Sequence, residues 1–278
     1  MFKISVLGCL RGLFMLILGV TVTVSTLHAA PLFTEGFDDN NLASRGWYDD
    51  ASLDIDTSTK HSGAGSLRLS WGAGQTNPPL VVCARKLFTA TEELYVSMYW
   101  RFNTGWVGSG QSYHPHLICI LSSRDYDVYG EYSGLAQNYL DTYIEPHGSG
   151  AFLILQDLVN SPAVCGSGCF YTPSITFNSN QWYHIETYFK MNTMNGSNPN
   201  SDGIMKMWVD GNSVYSSTTR IYRNGQNPTL KWRMFNIAPW IGDGSPRAQT
   251  MWIDELTVAN STLSDLPPNP PTGLRIVE

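Results

Sequence analysis

Asn180–Asn212, NQWYHIETYFKMNTMNGSNPNSDGIMKMWVDGN, decides the fold. It reads as two alternating strands around a polar loop, because strand side chains point to opposite faces with a period of two. Trp182, His184, Glu186, Tyr188 and Lys190 fall on one face of the first strand. Tyr183, Ile185, Thr187, Phe189 and Met191 fall on the other, which is the drier one. Further along, Trp208-Val209 and Ser213-Val214 flank Asp210-Gly211, a dipeptide whose tolerance of positive φ makes it a strong hairpin signal. A strand with an apolar back and an aromatic, ionisable front fits the surface of a β-sandwich.

The rest of the chain carries the same pattern. Candidate strands fall at 66–71, 80–88, 94–102, 116–122, 141–144, 151–155, 181–191, 204–209, 212–215, 230–237 and 249–258, separated by Gly, Asn, Ser and Pro clusters. No segment longer than about ten residues keeps a helical apolar period. Only 126–139 leaves a short helix or an irregular excursion in competition. The expected fold is all-β, a two-sheet antiparallel sandwich. Within 94–102, Tyr95, Ser97, Tyr99 and Arg101 share one side, opposite Leu94, Val96, Met98, Trp100 and Phe102. His114 and His116, two apart, share a side of the next strand. Set beside His184, Glu186, Tyr188 and Lys190, they predict one polar, aromatic sheet.

The ends of the chain read differently. Lys3 and Arg11, an apolar run from Gly12 to Val24 and small residues up to Ala30 have the form of a secretory signal peptide, residues 1–29. Cleavage after Ala29 is preferred, with Ala30 next. Cys9 precedes the apolar run, so lipidation is rejected. The sandwich is expected over 30–263. Residues 264–278 open on a proline-rich linker, Ser264–Thr272, and continue into Pro271–Val277, which resembles the first strand of a truncated fibronectin type III module.

Of 278 residues, 17 are basic and 23 acidic. Without Lys3 and Arg11 the mature net charge is −8. An acidic exported chain with no basic run is a poor nucleic-acid binder, and anionic ligands would need locally placed cations. Nothing here reads as a membrane anchor, and a monomer is expected, joined to any further modules downstream. Cys83, Cys119, Cys165 and Cys169 remain after cleavage, an even count that favours two disulfides in an oxidising compartment. Cys165–Cys169 can close a small loop, leaving Cys83 with Cys119; a zinc site is the weaker alternative.

Three groups of residues together resemble the concanavalin A-like jelly rolls of secreted bacterial polysaccharide-active proteins. The first is Phe33-Thr-Glu35-Gly-Phe37-Asp38, with Gly46-Trp47 and His61–Leu67, which is also similar to jelly-roll carbohydrate-binding modules. The second, Leu94–Phe102 followed by His114-Pro-His116-Leu, looks like the middle of alginate- and glucuronan-lyase-like sandwiches. The third runs from Trp182-Tyr-His184 through Trp208–Gly211 to Trp252-Ile-Asp254-Glu255.

This resemblance implies a surface that recognises an extracellular polysaccharide on a concave sheet. Tyr95, Tyr99, His114, Trp182, His184 and Glu186 would stack on sugars and bond their hydroxyls. An active lyase would cleave a uronate polymer by β-elimination. Arg101 or Lys190 would then neutralise the carboxylate, His116 or His114 take the proton, and Tyr188 protonate the leaving oxygen. Tyr188-Phe189-Lys190-Met191 keeps only half of the tyrosine-lysine-glycine-tyrosine strand of alginate lyases, and no Glu-x-Asp-x-x-Glu pattern for retaining hydrolysis occurs. The resemblance also implies a structural calcium held by Glu35, Asp38 and Asp254, since the terminal strands of such jelly rolls are neighbours. A third reading is a structural or adhesive extracellular domain. Trp240–Pro246 reads as a bend before the last strand.

Overall fold

The computed structural model describes residues 31–49, 52–81, 83–111, 115–123, 139–147, 150–155, 169–171, 175–225 and 227–260. The expected signal peptide, the 264–278 segment and His114 lie outside them, as does nearly all of the 126–139 excursion.

The described residues form β1 (Pro31–Glu35), β2 (Trp47–Asp49), β3 (Ile55–Asp56), β4 (Ser66–Trp71), β5 (Ala84–Thr91) and β6 (Glu93–Phe102). Then come β7 (His116–Ser123), β8 (Tyr139–His147), β9 (Gly150–Leu155), β10 (Cys169–Tyr171) and β11 (Trp182–Lys190). The chain continues through β12 (Met194–Asn195), β13 (Asn198–Pro199), β14 (Gly203–Val209), β15 (Asn212–Arg220), β16 (Lys231–Trp240) and β17 (Gln249–Ala259). One short 3-10 helix, Leu42–Arg45, is the sole helix among the described residues.

Two antiparallel sheets pack face to face as a jelly-roll sandwich, as the sequence predicts. The first has the order β15-β14-β11-β6-β17-β4-β3, with β1 also on β17; the second runs β10-β9-β8-β7-β16-β5-β2. Alternation sets the core. Leu94, Val96, Met98, Trp100 and Phe102 of β6 and Tyr183, Ile185 and Phe189 of β11 point inward from the first sheet. Ala84, Ile118, Ile120, Trp232, Phe235 and Ile237 meet them from the second. Trp100 and Trp232 are fully buried, so truncating either costs about 3–5 kcal/mol.

The hairpin expected at Asp210-Gly211 forms, with Val209 opposite Asn212. Both turn residues have positive φ, 48° and 74°, as a type I′ turn requires. The terminal strands are neighbours: β1 pairs with β17, placing Glu35 opposite Leu256. β5 starts at Ala84 instead of Leu80, because Pro78-Pro79 precede it and Leu80 stays exposed. Strands β2 and β3 are too short to show a period in the sequence.

The expected disulfides rest largely on Cys165 and on the Cys119 and Cys169 side chains, which lie outside what is described. Cys83 Sγ sits 3.2 Å from Asn236 Oδ1.

Candidate functional site on the outer faces of the two sheets

The outer face of the first sheet carries the row anticipated from Asn180–Lys190. Its register sets Tyr99 beside His184, Ser97 beside Glu186, Tyr95 beside Tyr188 and Glu93 beside Lys190. These side chains satisfy one another. Tyr95 Oη donates to Glu186 Oε1 at 2.7 Å, Tyr188 Oη donates to Glu93 Oε2 at 2.7 Å, and Lys190 Nζ meets Glu93 Oε1 at 2.8 Å. The Tyr99 ring is stacked between those of His61 and His184, with centroids 3.7 and 4.6 Å away.

The result is a dense polar layer instead of the exposed row expected. Tyr188 is 2% exposed, Tyr95 6% and Glu186 7%. Burial pushes the Tyr95 phenol up, reinforced by its bond to Glu186. Burial also holds His184 below the usual imidazole range, although Glu186, Asp210 and Glu255 pull the other way. His184 Nδ1 lies 3.4 Å from Glu186 Oε2, an ion-pair distance without hydrogen-bond geometry.

The residues expected to hold calcium face donors. Glu35 accepts from Arg45 Nε at 2.9 Å and Nη2 at 3.0 Å, from Trp47 Nε1 at 3.0 Å and from the Phe37 amide at 3.1 Å. Asp254 Oδ2 accepts from the His61 and Ser62 amides at 2.7 and 3.2 Å, and its Oδ1 from the Glu255 amide at 2.8 Å. Asp38 Oδ1 accepts from the Ala64 amide. A hard cation needs six to eight oxygens with lone pairs to spare. Here a guanidinium and backbone N–H groups occupy the same carboxylates, so the set does not fit the ion. Among the described residues no cluster of three acidic, histidine or cysteine side chains can hold a metal. Burial raises the Asp254 carboxyl above its usual range despite those amides.

The second sheet presents a different outer face. β16 carries one extra residue between Ile237 and Trp240, where Pro239 cannot donate to the ladder. This bulge sets Trp240 opposite His116, and the two rings stack at 5.4 Å and 14°. A Cβ at Gly242 would lie 2.8 Å from the Trp240 ring, so glycine there lets the indole fold over the chain. Trp240 is 43% exposed, one of two large apolar side chains so open among the described residues.

Glu145 of β8, wholly buried, meets His116 Nδ1 at 2.8 Å. A carboxylate only accepts, so Nδ1 carries the proton and Nε2 is the basic ring nitrogen. Three residues along β7, about 10 Å, runs a second row that includes Tyr48, Arg85 and Asn236. Arg85 is tied to Asp49 at 2.6 Å. Asn236 is buried, and its Nδ2 has no acceptor among the described residues.

The four residues nominated for catalysis are therefore not one constellation. Arg101, Tyr188 and Lys190 lie on the outer face of the first sheet, and His116 lies on β7 of the second. Tyr95, Tyr99, Trp182, His184 and Glu186 stay with the first group. The single sheet expected from joining His116 to them is corrected by the strand order: β6 and β11 pair with each other, and β7 pairs with β16 and β8. Glu145, Arg85, Asn236 and Trp240 escaped sequence reading. The Ala-Pro-Trp-Ile-Gly run around Trp240 was the one local signal, and it reads as a bend.

No protein-family model matches the chain, and no curated protein matches it. Solved structures do. Alginate lyase vAL-1 from a Chlorella virus superposes with a TM-score of 0.61 at 13% identity, over 83% of this chain and 100% of its own. The marine alginate lyase from Aplysia kurodai gives 0.60 at 14% identity, over 84% and 100%. The chain shares the jelly-roll fold of these polysaccharide lyases. A third lyase-fold neighbour, the endo-β-1,4-glucuronan lyase of the fungus Trichoderma reesei, superposes at 0.55 with 14% identity, over 86% and 99%.

Proposed function

We propose that this is an exported polysaccharide-binding protein of the lyase fold that cleaves a uronate polymer by β-elimination on the outer face of its second sheet. The observation that carries the reading is His116, held at Nδ1 by the buried Glu145 and stacked on the exposed Trp240. Trp240 offers a sugar an apolar platform beside the base. His116 Nε2 takes the proton α to the uronate carboxylate, electrons move to form the C4–C5 double bond, and the C4–O glycosidic bond breaks with its oxygen taking up a proton from water. The charge of the sugar carboxylate must be neutralised before its α proton becomes acidic, and Asn236 Nδ2, without an acceptor among the described residues, is the unmet donor on the neighbouring strand β16 that supports such a role. The neighbouring structures are named for action on alginate and on glucuronan, both polyuronates, which supports that substrate class.

The test is incubation of the mature protein with alginate, glucuronan, pectate and heparin while following absorbance of the unsaturated uronate in the ultraviolet. A rise with at least one polymer is expected. No rise with any, combined with retardation in a polysaccharide gel, removes the base role and leaves a binding surface.

A further inference from the structure

We infer a second polysaccharide-binding site, for a chain carrying carboxylated sugars, on the outer face of the first sheet and centred on Arg101. One row of cross-strand neighbours runs over four strands: Trp182 of β11, Arg101 of β6, Trp252 of β17 and Arg68 of β4. Cross-strand partners share a face, and strands lie about 4.8 Å apart, so the two indoles stand about 10 Å from each other with the guanidinium between them. Arg101 Cζ sits 5.9 Å from the Trp252 ring centroid. All four side chains are partly exposed.

The two arginines differ in what they can still bind. Arg68 is already forked onto Asp54, at 2.8 and 3.0 Å. Arg101 has no carboxylate partner among the described residues, and its Nε has no acceptor. A cation resting on one indole, with a second indole on the next strand and no counter-ion among the described residues, is built to receive an anion. Indole faces stack on the C–H faces of sugar rings, and a guanidinium forks onto a carboxylate. The strip thus selects one uronate at its centre, with the adjoining rings on the tryptophans. Beyond Arg68 it opens into a cleft of about 490 Å³ bordered by Asp54, Ser70, Gln75 and Thr250, which gives the polymer a continuation. This site is on the sheet opposite to His116 and stands independently of the catalytic reading.

Affinity electrophoresis of the full mature protein in gels containing alginate or neutral glucomannan tests it. Retardation by alginate is expected, with the apparent dissociation constant rising about tenfold in R101Q and less in R101K, since a hydrogen bond to a charged group is worth about that factor. The same loss on adding R101Q to H116A, a background that does not cut the gel polymer, separates this site from the proposed catalytic one. Thermal melting identifies any variant that fails to fold, and Trp182→Ala then replaces R101Q. Unchanged retardation of folded R101Q or W182A would overturn the inference. So would an H116A protein that alginate does not slow.

Discussion

The two outer faces of this sandwich use the same residue types to opposite ends. On the first sheet, Tyr95 bonds Glu186, and Tyr188 and Lys190 meet Glu93, with Tyr95, Tyr188 and Glu186 withdrawn from solvent. On the second, His116 is oriented by a buried carboxylate and laid against an indole that remains open. A polar aromatic row is therefore not in itself a site. What separates the two is whether each polar group is satisfied by its own neighbours or is aimed by them at something else.

The largest effect that would break this contrast concerns Glu145. Glu145→Gln should lower turnover about tenfold or more and shift the pH–rate profile, because the imidazole keeps an acceptor at Nδ1 but loses the negative charge that stabilises its protonated form. Steady-state rates across pH check it, and an unchanged profile would make Glu145 merely structural. A smaller effect is expected from acid on the first sheet. Burial opposes ionisation of Asp56, yet bonds from Ser58, Trp252 and the Ser58 and Thr59 amides outweigh it and bring its carboxyl down to about 2. A depressed folded value contributes stability above the unfolded value near 4, lost as pH falls toward 2. Asp56→Asn should remove about 2 kcal/mol at pH 7 and flatten the acid limb of a denaturation series.

Tyr95→Phe should cost about 1–2 kcal/mol in urea unfolding, since it strips Glu186 Oε1 of its buried donor, while turnover stays within twofold. A loss of turnover without loss of stability would move the first sheet's face back into the reaction. The smallest change belongs to calcium. An ion bound at a hundred times its dissociation constant adds about 2.7 kcal/mol, several degrees in melting temperature for a domain this size. With Glu35 held by Arg45, calcium should leave the melting temperature where EDTA leaves it; a rise of several degrees would restore the ion.

Most of the sandwich was legible because period-two alternation is a local property. The faces of β6 and β11, the Asp210-Gly211 turn and the meeting of the first and last strands all follow from it or from the resemblance built on those residues. Strand order is not local. His116 and Tyr188 look equally exposed in sequence, yet β7 joins β16 and β8 in the second sheet while β11 joins β6 and β14 in the first. The partner of His116, Glu145, lies 29 residues away on a strand whose own pattern gives no hint of it. Trp240 depends on a bulge at Pro239 that a strand template reads as termination.

The most direct measurement is a side-by-side comparison of H116A and Y188F, each confirmed folded by melting, on a polyuronate that the parent cleaves. Unsaturated product should fall at least about a hundredfold in H116A and stay within twofold in Y188F. The reverse pattern, with product lost in Y188F and kept in H116A, would place the chemistry on the first sheet and contradict this account.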